Sequence, residues 1–137
     1  MKRLNKKSGF TLLEIIIVII IIGVLASLAL PRFFKTVEYS RATEALSHLS
    51  AIRQSVNRCF LTANTYAGCT LANLDVDDPS AAAGTHFTYV VNIPGTAGTP
   101  FTVVATRNGF EGTNAGDTIE IDDTGVKRGT NQYSGVR

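Results

Sequence analysis

Tryptophan is absent, cysteine and histidine occur twice each, and charged residues make up only 18% of the 137 positions. Two cysteines, Cys59 and Cys69, allow one disulfide at most, which argues against a cysteine-based zinc site with its larger ligand set. His48 and His86 stand far apart, with no carboxylate or cysteine at ligand spacing, and read as ordinary polar contacts. There is no Gly-x-Ser-x-Gly turn and no Gly-x-x-x-x-Gly-Lys loop, so neither a serine nucleophile nor a nucleotide-driven motor is indicated. Catalysis is not expected, and no cofactor is implied. At 45% hydrophobic the chain is too apolar for disorder, and its length suits one domain, or one domain plus an appendage. Positive charge is concentrated in Lys2, Arg3, Lys6 and Lys7. Without those four, nine basic residues face eleven acidic ones, so specific nucleic-acid binding by bulk charge is not expected.

What the sequence does have is a long apolar run. Residues 10–30 are interrupted only by Thr11, Glu14, Gly23 and Ser27. A helix of that length spans about 30 Å, the thickness of a bilayer core. Residues 15–22 are Ile and Val throughout, so apolar side chains point in every direction and the helix must be buried or lie in a membrane. The basic cluster ahead of it is the cytoplasmic flank by the positive-inside rule, which puts the remainder outside the cytoplasm.

From Pro31 to Ala63 the pattern changes. Ala42, Ala45, Leu49, Ile52, Val56 and Cys59 follow a 3-4-3-4-3 spacing, widened by Leu46 and Phe60, and form one apolar stripe. Arg41, Glu44, Ser47, His48, Ser55 and Arg58 are expected on the opposite, polar face. The reading is one helix over 10–63, perturbed near Pro31 because proline has no N–H to donate. Residues 64–84 form a connector containing Gly68, Pro79 and Gly84. Beyond it the period becomes two: Phe87, Tyr89, Val91 and Ile93; then Phe101, Val103 and Ala105; then Ile119 and Ile121. Gly- and Thr-rich linkers at 94–100 and 108–117 and a turn at 122–125 separate these strands, and 126–128 is a candidate fourth. The expected fold is α+β: a long N-terminal helix packed on an antiparallel meander of three to four strands. It divides into residues 1–9, a membrane half at 10–30, an amphipathic half at 31–63, a connector at 64–84 and a sheet at 85–137.

Glu14 carries most of the functional information. A carboxylate within a membrane span costs about 2.5 kcal/mol or more at the centre and less near the end. No Lys or Arg occurs between Lys7 and Arg32 to pair with it. A free α-amino group would serve if the chain were cut ahead of Phe10. Lys6-Lys7-Ser8-Gly9-Phe10-Thr11-Leu12-Leu13-Glu14, with the apolar run through Gly23 to Pro31, resembles the signal of the type IV prepilins. The resemblance implies cleavage between Gly9 and Phe10 by a membrane prepilin peptidase, N-methylation of Phe10, and pairing of Glu14 with the amine of a neighbouring subunit. It also implies local loosening of the helix between Gly23 and Pro31, both weak helix formers. Further partners it implies are copies of the chain in a helical filament, a platform protein and assembly ATPases. The precursor would sit in the inner or cytoplasmic membrane, and the filament would lie on the cell surface, serving adhesion, twitching motility or DNA uptake.

Three other readings of these residues stand beside it. An ordinary secretory signal would be cut near Ser27-Leu28-Ala29, but leaves Glu14 unexplained. A type II secretion pseudopilin shares the signal; the major pseudopilins carry an Arg-Tyr-Pro element after the helix and a later Asp-Pro-Trp-Gly element, whereas this chain has Thr65-Tyr66-Ala67 and no tryptophan. A helix-anchored monomeric binding domain would form no filaments. Outside the cytoplasm, Cys59 and Cys69 are expected to form a structural disulfide that pins the helix end to the connector, unlike the C-terminal staple of many type IV pilins. Asp75, Asp77 and Asp78 are a weak calcium candidate, since their spacing is not that of an EF-hand; a solvated acidic loop is the preferred reading. Phe33, Phe34, Tyr39, Phe60 and Tyr66 are read as packing aromatics in preference to a conducting path.

Overall fold

The computed structural model describes residues 9–94, 100–109 and 115–136. The leader expectation at residues 1–8 and parts of both expected linkers fall outside them. The chain divides into two compact units, Met1–Glu38 and Tyr39–Arg137. One helix, α1, runs Leu12–Ala63 and contributes to both.

In the first unit, α1 passes through Pro31 without a break. Proline cannot donate to the carbonyl of Ser27, so one helical bond is missing there. Every described residue of the apolar run is exposed within the chain.

In the second unit the stripe packs as its spacing requires. Ala42, Ala45, Leu49, Ile52 and Val56 are buried, and Cys59 is half-buried. They form one core with Phe87, Tyr89, Phe101, Val103, Ala105, Ile119 and Ile121. Burying each large apolar side chain contributes about 1.5–3 kcal/mol, which makes this stripe, and not helix propensity, the reason the helix is held here. The sheet is a four-stranded antiparallel meander: β1 (Phe87–Asn92), β2 (Thr102–Arg107), β3 (Thr118–Asp122) and β4 (Lys127–Gly129), in spatial order β1-β2-β3-β4. Val103 lies opposite Val91 on one side and Ile121 on the other, and Ala105 lies between Tyr89 and Ile119, so the odd-numbered positions line the inner face. The expected turn at 122–125 closes as Gly125 N–H donates to Asp122 O at 3.0 Å, with Gly125 at φ +96°. From the helix, Arg53 Nη1 donates to Asp123 O at 2.8 Å and ties α1 to that turn.

Two polar residues lie deeper than the pattern indicated. Ser55, expected on the solvated face, is 1% exposed, and its hydroxyl donates to Asp75 of the connector. The helix therefore buries a wider arc than its apolar stripe, because the connector covers the Ser55 side. Arg107 continues the odd-numbered face of β2 and is also 1% exposed. Its Nη1 donates to His86 O at 3.1 Å and to Asn108 Oδ1 at 3.2 Å, and the guanidinium sits 5.7 Å from the Phe87 ring centre.

The C-terminal segment is fastened without a disulfide. Thr130 N–H donates to Thr118 O at 2.9 Å, and the short 3₁₀ turn Asn131–Tyr133 places Tyr133, 4% exposed, with its ring 5.9 Å from that of Phe87.

Candidate processing and assembly site

Gly9 and Phe10 precede the helix and are exposed. The helix starts after Thr11, whose Oγ1 accepts the Glu14 N–H at 3.2 Å. Thr11 is therefore the N-cap and Glu14 the third helical residue, the Thr-x-x-Glu arrangement of a capping box. That signal was missed in the sequence, and it gives Glu14 a local role beside any assembly role: an acidic side chain in the first turn also complements the helix dipole. Within one chain Glu14 is exposed. Gly23 is exposed too, and a Cβ there would meet nothing within 4 Å, so no packing within the chain demands glycine. Phe10, Glu14, Gly23 and Pro31 are thus strung along one apolar helix start and are not gathered into a pocket. An 18-residue window of this helix has a mean hydropathy of 3.0 with none of it buried in the chain, long and apolar enough to cross a bilayer.

The cysteine pair lies at the other end of α1. Cys59 and Cys69 are bonded, with Cα atoms 5.9 Å apart. Asn64 ends the helix at φ +53°, and its N–H donates to Phe60 O at 2.7 Å. Inside the closed loop the Phe60 and Tyr66 rings stack at 4.4 Å, and Tyr66 reaches Phe101 at 5.2 Å. These two aromatics pack as expected. Phe33, Phe34 and Tyr39 do not: they are 61%, 59% and 75% exposed.

The three aspartates do not converge. Asp75 accepts from Arg58 Nε at 2.7 Å and Nη2 at 2.8 Å and from the Ser55 hydroxyl, and these bonds, Arg58 first, lower its pKa to about 2. Asp78 accepts the Ser80 N–H at 2.8 Å and caps the turn Pro79–Ala81. Among the described residues no three His, Cys, Asp or Glu side chains are grouped to hold a metal. Of the three, Asp75 is the latch between connector and helix.

Comparison with known proteins bears on the N-terminal segment first. The family profile described as "Prokaryotic N-terminal methylation motif" matches residues 4–30. The type IV major fimbrial protein FimA of Dichelobacter nodosus is 35% identical over 78 residues, 54% of this chain and 49% of that protein. The type II secretion system core protein G of Aeromonas hydrophila is 38% identical over 80 residues, 57% of this chain and 55% of its own. A probable minor fimbrial protein of Dichelobacter nodosus is 40% identical over 65 residues, covering 47% and 41%. The chain spans about half the length of the curated relatives it matches. No solved structure matches it. The chain thus carries a methylation motif, an apolar helix and a small antiparallel sheet, and over about half its length it is similar to type IV fimbrial proteins and to a type II secretion core protein.

Proposed function

We propose that the chain is a structural subunit of a type IV pilus. The observation that carries this reading is an apolar helix segment with no residue buried in its own chain, lying within the residues that the methylation motif matches. Such a surface is satisfied first by lipid and then by other copies of the same helix. The apolar area stays out of water in both states, so packing, charge pairing and external machinery decide assembly. In this reading residues 1–9 are a leader cut between Gly9 and Phe10 by a prepilin peptidase, and Phe10 is N-methylated. Residues 10–30 form the membrane segment and later the filament core, 31–63 link it to the head, and 64–84 with 85–137 form the connector and sheet of the outer surface. Glu14 neutralises the Phe10 amine of a neighbouring copy, and Gly23 and Pro31 mark where the helix, unbroken in the single chain, loosens on assembly. The partners are the peptidase, a platform protein and assembly ATPases; the precursor resides in the cytoplasmic membrane and the filament at the cell surface, in adhesion, twitching motility or DNA uptake. No catalysis belongs to this role.

The test is Glu14→Ala. Insertion and cleavage should persist, because alanine is cheaper than a carboxylate in lipid. Filament recovered by shearing should fall at least about tenfold, because an amine left unpaired in an apolar core costs several kcal/mol. Unchanged filament yield would overturn the Glu14 pairing, and a mature chain beginning at Leu30 would overturn the pilin reading itself. A second reading, a type II secretion pseudopilin, is favoured by the match to core protein G, which is as extensive as that to the fimbrial protein. Electron microscopy of sheared surface material at native expression separates the two.

A further inference from the structure

The aromatic residues just beyond the apolar run, Phe33 and Phe34, have no ring partner among the described residues other than each other. Phe33 and Phe34 are more than half exposed, and their rings meet only edge to face, 6.1 Å apart. They are flanked by Arg32 and Lys35, both exposed and three positions apart, which puts the two cations on one side of the helix and the two rings on the remainder. Arg32 is the first cation after Lys7, and between them Glu14 is the only charge. A charge-free helical stretch thus ends abruptly in a four-residue collar of two rings and two long cationic side chains.

We infer that Arg32, Phe33, Phe34 and Lys35 seat the unassembled helix at the outer boundary of an anionic phospholipid bilayer. This rests on the membrane-inserted precursor proposed above and adds to it the depth at which the helix is held. Phenylalanine, apolar at both ends, belongs on the hydrocarbon side of the boundary; Arg32 and Lys35 extend their charged heads outward to lipid phosphates while their stems stay in the apolar layer. The length agrees. From Phe10 to Phe33 the chain advances 23 residues, about 35 Å if helical throughout, slightly more than the hydrocarbon thickness of about 30 Å. With the rings fixed at the outer boundary, the peptide bond between Gly9 and Phe10 is brought to the inner one. The collar therefore sets the register in which a membrane peptidase meets its cleavage site. Three outer cations close to the span, Arg32, Lys35 and Arg41, against four ahead of it keep the orientation inside-positive.

The absence of tryptophan makes the test direct, since Phe33→Trp or Phe34→Trp introduces a single reporter. The full chain is reconstituted in vesicles of phosphatidylethanolamine and phosphatidylglycerol containing lipids brominated near either the headgroup end or the methyl end of the acyl chain. Leu25→Trp is the reference for insertion. The expected result is that both reporters are quenched several-fold more by shallow than by deep bromines, independently of protein density. Replacing phosphatidylglycerol by phosphatidylcholine should weaken that quenching, and Arg32→Gln/Lys35→Gln should abolish the effect of lipid charge. Iodide quenching of both reporters without bromolipid quenching, while Leu25→Trp is quenched, overturns the collar alone. Protection that disappears on dilution into excess lipid shows that a second copy covers the rings and also overturns it. No effect of lipid charge removes the anionic partner. If Leu25→Trp is not quenched either, the membrane-inserted precursor itself fails.

Discussion

Helix α1 contains two stretches of similar residue types with opposite fates. Ile15, Ile19 and Ile22 are about half exposed, whereas Ile52, Leu49 and Val56 have no exposed surface. The difference lies in spacing and not in hydrophobicity. Residues 15–22 are apolar on all sides and leave no polar face for water, so no small sheet can cover them. The stripe from Ala42 to Val56 occupies one side, which a single sheet face covers. A helix apolar all round must find its solvent outside the chain, while an apolar stripe can be completed within it. Every functional proposal above follows from the first case and every stabilising contact of the head from the second.

That distinction breaks most readily at Ile52. Ile52→Ala should destabilise the head by about 2–5 kcal/mol, through lost burial and the cavity left in the core that Ile52 shares with the inner face of the sheet. Ile20→Ala, in the exposed stretch, should leave the head within about 0.5 kcal/mol of the parent. Denaturant unfolding of the detergent-solubilised chain, followed by near-ultraviolet circular dichroism, measures both. An equal loss from Ile20→Ala would mean that the two stretches are not energetically separate.

The next effect sharpens the boundary at the far end of α1. The bond between Cys59 and Cys69 closes a ten-residue separation and should contribute about 2.5–3 kcal/mol by restricting the unfolded chain. Cys59→Ser/Cys69→Ser should therefore lower the unfolding midpoint of the head without altering extraction of the chain from membranes. Non-reducing mass analysis should recover the two cysteines in one linked peptide; free alkylatable thiols would remove the claim.

Gly129 tests close packing in the head. A Cβ there would overlap the backbone carbonyl of Tyr133, whereas at Gly23 it would meet nothing within 4 Å. Gly129→Ala should cost about 1–3 kcal/mol, because β4 or the Tyr133 turn must shift. Gly23→Ala should leave the head unchanged, and any defect from it would have to appear in assembly.

Most of the architecture was legible because it rests on periodicity. The run at 10–30, the 3-4 stripe and the three alternations each specify an element and its buried face from neighbouring residues alone. What escaped depends on contacts distant in sequence. Ser55 was assigned to solvent because its partner Asp75 lies twenty positions on, in a connector whose path no local rule gives. Arg107 has the inward parity of Val103 and Ala105, yet burying it requires carbonyl and ring partners supplied by His86, Phe87 and Asn108. Tyr133 lies outside every periodic segment, and only the folded sheet shows the Phe87 ring that receives it. The methylation motif was legible in the sequence, and the matched residues 4–30 include Gly9, Phe10, Glu14 and Gly23. The proposed pairing of Glu14 involves a second copy and so is not a property of one chain.

The smallest expected effect concerns acid, and it separates the latched head from the uncharged helix core. The Asp75 pKa is lowered from 3.8 to about 2, chiefly by its bonds from Arg58 and then from Ser55. The unfolded chain thus binds a proton on Asp75 at a higher pH than the folded chain does. Stability from the latch is complete above the unfolded value, declines as pH falls from about 3.8 to about 2, and is gone below that. Arg58 is shifted upward by the same bond and stays charged throughout this window. Asp122 is also lowered, first by the Thr124 hydroxyl, so it contributes a loss in the same direction. Asp75→Asn should flatten only part of the acid limb of the stability curve, with Asp122→Asn flattening more of it. Because Asp75 and Arg58 are both exposed, solvent screens the pair and the change should be modest and reduced by salt. Above about pH 5 both curves should be flat with respect to these groups. The measurement is the denaturant midpoint between pH 2 and pH 6 for the parent and both variants. An unchanged acid limb in Asp75→Asn would show that the Arg58–Asp75–Ser55 latch is closed in the folded chain without contributing to its stability.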